Sequence, residues 1–242
     1  MKVERASVWA EAVFHVLAHV DVPFASSCFD PVYIAWIRER LGRPVETLAH
    51  EMFALTHDTF ARAQALAWVF GSADENRRWS DRDLDEIEVH DDEALHVARA
   101  AGAFAEVLRA TAELEMPDLE ALAPAPFDAA ALERALHAVL PAAPALAGFT
   151  VAVTPPLPRR GRVHRRVIFA GVPGVAGATN EHVAWQAAHE ATVVEAARDH
   201  DAFLAVEREA IQRLRARAGA AGLAGAHAAW LATLDLRALG PL

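Results

Sequence analysis

Apolar residues recur at helical spacing along most of the chain, and this periodicity constrains the fold more than any other feature. Within residues 7–20, for example, Trp9, Val13 and Val16 fall on one helical face. Similar stripes predict further helices over residues 45–70, 128–140 and 181–198, and two Ala- and Arg-rich helices after them, with a break near Gly219–Gly225. We therefore expect a mainly α, multi-helix, bundle-like protein.

Two segments interrupt this pattern because they are rich in β-branched residues. They cover residues 149–157 and 163–172, and they predict one β-hairpin at about 148–171 in the C-terminal half. An Ala- and Pro-rich stretch at 119–127 is the best candidate for a linker. The expected organisation is a helical region at 1–118 and a hairpin with helices at 128–242, packed together as one globular unit.

Composition and charge exclude several classes of protein. Of the 242 residues 54% are hydrophobic and 56 are alanine, which is enough apolar surface for a folded core. The net charge of −10 argues against partners with many phosphates, so we expect neither nucleic acid nor an anionic membrane. Cys28 is the only cysteine, and Glu11 and His15 interrupt what would be the apolar part of a signal peptide. The chain is therefore expected in the cytoplasm.

Histidine is the residue type that points to chemistry, with 12 copies in the chain. Three predicted helices carry a histidine pair on one face, namely His15/His19, His50/His57 and His182/His189. Two such stripes that face each other in a bundle can hold a transition metal, because neutral imidazole is a good ligand for zinc and iron. The alternatives are a solvated polar face for the first two pairs and hydrogen-bonded core histidines for the third.

The helix predicted at 181–198 is the strongest of these segments. His182 and His189 share a face with Trp185, and alanines line its other sides, so the helix is expected to be buried nearly all round. His189-Glu190 matches the start of the HExxH zinc motif, but Val193 occupies the second ligand position. The motif itself is therefore not present.

These patterns predict a helical metal-dependent enzyme, hydrolytic or oxidative, that uses a cluster of His and Glu residues. Glu190 is the expected catalytic residue, and zinc or iron is the expected metal, with candidate ligands His182, His189, His15, His19 and Glu11. The alternative is a non-catalytic helical partner or adaptor subunit of a larger complex, because no complete catalytic signature occurs. A third hypothesis assigns anion binding to the glycine-rich Gly171–Gly177 loop.

Overall fold

The computed structural model describes residues 1–6, 10, 11, 14, 39, 127–140, 148–155, 161–164, 166–197 and 203–233. The chain divides into two compact units, Ala6–Leu122 and a second unit formed by Met1–Arg5 with Ala123–Leu242. Nearly all of the described residues lie in this second unit, here called the C-terminal unit. Within it the structure is mostly helical, with a small mixed sheet.

The sheet has four strands in the order β1-β2-β4-β3. Their bounds are β1, Lys2–Arg5; β2, Thr150–Val153; β3, Arg162–His164; and β4, Val167–Ala170. Strand β2 runs parallel to both of its neighbours, with Lys2 opposite Thr150 and Thr150 opposite Val167. The N-terminus of the chain thus supplies an edge strand of the C-terminal unit.

The predicted hairpin at about 148–171 is therefore only partly correct. The two β-rich segments do form strands, but β2 and β4 are parallel, and a parallel pair cannot be joined by a tight turn. The hairpin consists instead of β3 and β4, in which His164 lies opposite Val167. Strand β1 is an addition that the sequence pattern did not indicate.

Four helices of the C-terminal unit are described. They are α1, Ala129–Val139; α2, Asn180–Ala197; α3, Phe203–Ala220; and α4, Ala224–Thr233. The predicted helices at 128–140 and 181–198 and the break in the last pair are confirmed. Asp128 begins α1, because its side chain accepts a hydrogen bond from the N–H of Ala131 at 2.9 Å.

Helix α2 lies at the centre of the unit. Side chains from one face of the sheet, including Val151 and Ile168, share a core with Leu132 of α1 and Val183 of α2. Helices α3 and α4 pack against α2 and contribute Leu214 and Trp230 to the same core. Every residue from Val183 to Thr192 is buried, which confirms the prediction of a helix surrounded on all sides.

Helix α3 is held to α2 by a polar contact as well as by apolar packing. The Arg217 guanidinium donates hydrogen bonds to Glu195 Oε2 at 2.6 Å and to Thr192 Oγ1 at 3.5 Å.

No helix in the described ranges is long and apolar enough to span a bilayer.

Candidate functional site

A buried histidine–carboxylate pair joins α2 to α3. His189 Nε2 lies 2.8 Å from Glu207 Oε2, and the two side chains are only 2% and 3% exposed. A carboxylate oxygen accepts hydrogen bonds, so we assign the proton of this bond to Nε2. In that tautomer Nδ1 of His189 carries the lone pair, and Nδ1 has no hydrogen-bond partner within the described residues.

One aromatic ring lies against the His189 imidazole, and two further rings contact that ring in turn. Trp230 of α4 has its ring centroid 5.5 Å from that of His189, and His227 of the same helix is 5.8 Å from Trp230. Trp185 of α2 completes the group, at 5.0 Å from His227 and 6.1 Å from Trp230. We call these four side chains, His189, Trp185, His227 and Trp230, the ring cluster.

The ring cluster contains unusually many unsatisfied polar atoms for a protein interior. His227 Nε2 and the indole N–H groups of Trp185 and Trp230 have no hydrogen-bond partner among the described residues, as is also true of His189 Nδ1. A buried polar group without a partner costs roughly 1–3 kcal/mol, so such atoms are uncommon in native proteins. Their concentration in one place marks the ring cluster as the candidate functional site.

His227 is uncharged at neutral pH. Burial, together with the positive charge of Arg215 and the nearby His189, lowers the pKa of His227 from 6.5 to about 4. A neutral imidazole carries one N–H donor and one lone pair. The ring cluster therefore contains two imidazoles in a setting from which water is largely excluded.

Glu207 and His227 were not among the residues predicted from the sequence, although each leaves a signal. Glu207 shares one face of α3 with Ile211, Leu214 and Ala218, and all four residues are buried. A carboxylate at such a position must find a partner in the interior. His227 likewise shares the apolar face of α4 with Trp230 and Leu231.

Of the predicted site residues that are described in the C-terminal unit, only His189 belongs to the ring cluster. His182 is two helical turns away, about 10 Å along the axis, and its Nδ1 accepts a hydrogen bond from the N–H of Thr179. Glu190 is also buried, but its side chain leaves α2 about 100° from that of His189. A Cβ placed on Gly161 would lie 2.8 Å from Glu190 Cγ, so this carboxylate side chain is directed towards the start of β3.

The remaining predicted ligands lie elsewhere in the chain. Glu11 belongs to the other compact unit, Ala6–Leu122, where it is a buried helical residue. His15 and His19 lie outside the described residues, as does the pair His50/His57. Among the residues that are described, no group of three or more His, Cys, Asp or Glu side chains is arranged to hold a metal ion.

The Gly171–Gly177 loop is a structural turn. Four of its N–H groups are occupied within the fold: Gly174 donates to the carbonyl of Ala178 at 2.6 Å, and Gly171 donates to Gln186 Oε1 at 3.0 Å. Val175 and Gly177 also donate to carbonyls of the loop, at 3.2 and 3.4 Å. An anion would need free N–H groups, so these four, including those of all three glycines, are not available for the site suggested by the sequence.

The chain matches no protein-family model, and comparison with curated proteins and with solved structures also finds no match. The geometry of the ring cluster is therefore the only basis, among the described residues, for assigning a function.

Proposed function

We propose that the C-terminal unit is the catalytic part of a histidine-dependent enzyme, in which His189 exchanges a proton with the substrate through Nδ1. The observation that supports this role is the 2.8 Å contact between His189 Nε2 and Glu207 Oε2 in a buried setting. A carboxylate behind an imidazole fixes its tautomer and its orientation, which leaves the opposite nitrogen available as a base. Glu207 is then a positioning residue, because it acts through His189.

Energetic considerations favour a functional role for this pair. Replacement of a buried polar pair by apolar side chains of similar size is often neutral or stabilising. Stability alone therefore does not require an imidazole and a carboxylate between α2 and α3. Proton transfer gives each a role, the imidazole as the base and the carboxylate as the group that orients it.

The metal-dependent enzyme predicted from the sequence is the second candidate, and His227 favours it. A metal ligand must be a neutral imidazole, and the lowered pKa keeps His227 in that form at pH 7. His189 Nδ1 and His227 Nε2 would be its nitrogen ligands, and Glu207 would hold the ligand His189 in the way that carboxylates commonly support metal-bound histidines. Zinc or iron bound there would act as a Lewis acid or in oxidative chemistry.

One set of variants tests both candidates on the purified full chain. His189→Gln removes the imidazole, Glu207→Gln weakens its support, and His137→Gln is the matched control, since His137 is an exposed histidine on α1. Each variant is assayed against a panel of ester, phosphate, amide and alcohol substrates, and its metal content is measured by elemental analysis.

For either candidate, turnover should disappear in His189→Gln, fall in Glu207→Gln and persist in His137→Gln. Metal that is bound in stoichiometric amount by the wild type and lost in His189→Gln selects the metal-dependent enzyme, whereas turnover without metal selects proton transfer. Turnover that survives in folded His189→Gln contradicts both. A folded, inactive wild type that co-purifies with a second protein supports the adaptor alternative.

A further inference from the structure

Helix α4 packs against His189 through a small inner face. Its inner face consists of three buried side chains, His227, Trp230 and Leu231, and the Trp230 ring lies against His189. The outer face is small and exposed, and it comprises Ala224, Gly225, Ala228, Ala229, Ala232 and Thr233. A helix of ten residues is marginal in isolation, so its position depends on packing. Among the described residues, Leu223 and Ala226 add partly buried contacts to those three side chains.

These contacts leave polar atoms unsatisfied. His227 Nε2 and Trp230 Nε1, both on α4, have no hydrogen-bond partner among the described residues, and neither has Trp185 Nε1 beneath them. Water would satisfy all three atoms if α4 moved away. The unsatisfied atoms therefore destabilise the closed position of α4 relative to an open one. A fully apolar interface of the same area would not carry this cost.

The connection between α3 and α4 supplies a pivot. Gly222 has a φ of +74°, which favours glycine, and the N–H groups of Gly222 and Leu223 donate to the carbonyls of Gly219 and Ala218 at 3.1 and 2.7 Å. This pair of bonds ends α3 in a Schellman motif. These two bonds hold Gly222 in place, so α4 can move as a unit about the backbone of Leu223 while α3 keeps its own hydrogen bonds.

We propose that α4 is a hinged lid, which opens at Leu223 and uncovers His189. The lid deepens the function proposed above and rests on it, because an enzyme whose catalytic pair is buried needs a route for its substrate. Opening is a local transition of the last described helix, in which α1, α2 and the sheet stay folded.

Hydrogen–deuterium exchange of the full chain tests this motion. In the wild type, amides of Ala228–Leu231 should exchange at least tenfold faster than those of Ala187–Ala191 in α2. Leu231→Ala removes a lid contact and should accelerate α4 exchange by at least a further tenfold. Leu136→Ala is the matched control, a buried leucine of α1, and it should accelerate α2 while leaving α4 within about twofold of the wild type.

The access of reagent to His189 gives a second readout. Carbethoxylation of His189, followed by mass spectrometry, should accelerate in Leu231→Ala by the same factor as α4 exchange. Equal exchange rates in α4 and α2, or fast α4 exchange without faster modification of His189, would overturn the lid. Neither measurement uses turnover, so a chain that is active without His189 would disprove the proposed function and leave the lid result unaffected.

Discussion

Thr179 and His182 hydrogen-bond to each other in both directions at the start of α2. The N–H of His182 donates to Thr179 Oγ1 at 3.2 Å, and the N–H of Thr179 donates to His182 Nδ1 at 3.3 Å. This is the geometry of a capping box, with an imidazole in the place usually taken by Glu or Gln. A histidine predicted to be a metal ligand thus uses one ring nitrogen to begin the helix that carries His189.

The first prediction concerns this cap. Thr179→Ala should lower the free energy of unfolding by about 1 kcal/mol, because an N–H in the first turn of α2 loses its acceptor. Thr179→Ser keeps the hydroxyl and should cost much less. Urea unfolding followed by circular dichroism measures both. Equal losses in the two variants would mean that the methyl group of Thr179, and not the hydrogen bond, stabilises the helix.

The second prediction concerns the coupling of His189 to Glu207. Glu207→Leu should lower the free energy of unfolding by about 3 kcal/mol, because His189 Nε2 is then buried without a partner. The double variant with His189→Leu should be more stable than Glu207→Leu alone, with a coupling energy of about 1–3 kcal/mol. A double-mutant cycle in urea gives this value. Strictly additive losses would show that the 2.8 Å contact contributes nothing.

Local sequence signals predicted the described helices of the C-terminal unit well, whereas the predicted helix at 45–70 lies outside the described residues. Asp128 before α1 and Thr179 before α2 are N-caps that act within one turn, so they can be recognised without knowledge of the fold. The break between α3 and α4 follows in the same way from Gly222. Each of these signals depends only on residues a few positions apart.

Pairing between distant segments could not be predicted in this way. Strand β1 lies beside β2, although almost 150 residues separate them in the chain, and alternation of side chains identifies a strand without identifying its neighbour. The same limit applies to the candidate site. The pattern on α2 singled out His189, but helical spacing does not reveal that α3 places Glu207 beside it or that α4 adds His227.

The third prediction compares two glycines, one in a crowded position and one with open space around it. A Cβ on Gly161 would lie 2.9 Å from the carbonyl oxygen of Phe169 as well as 2.8 Å from Glu190 Cγ, so Gly161→Ala should cost about 1–3 kcal/mol. Gly219 in α3 has no atom within 4 Å of the same position, and Gly219→Ala should stabilise by about 0.5–1 kcal/mol. Thermal unfolding distinguishes the two. A stable Gly161→Ala variant would show that β3 and Glu190 move apart easily.

The fourth prediction follows from the low pKa of His227. Burial, Arg215 of α3 and His189 of α2 lower the pKa of His227 from 6.5 to about 4. Between these pH values the unfolded chain therefore binds a proton at this residue that the folded chain does not bind. The contribution of neutral His227 to the free energy of unfolding is complete above pH 6.5. It is lost as the pH falls towards 4, and the loss amounts to about 3 kcal/mol.

The variant His227→Phe isolates that contribution, because it keeps a ring between Trp185 and Trp230 and removes the titrating group. Urea unfolding of both proteins at pH 7 and pH 4.5 gives the stability that each loses between the two pH values. The effects of the other titrating groups cancel when the two losses are compared. The wild type should lose more stability than the variant between the two values. The same loss in both proteins would contradict the burial of a neutral His227.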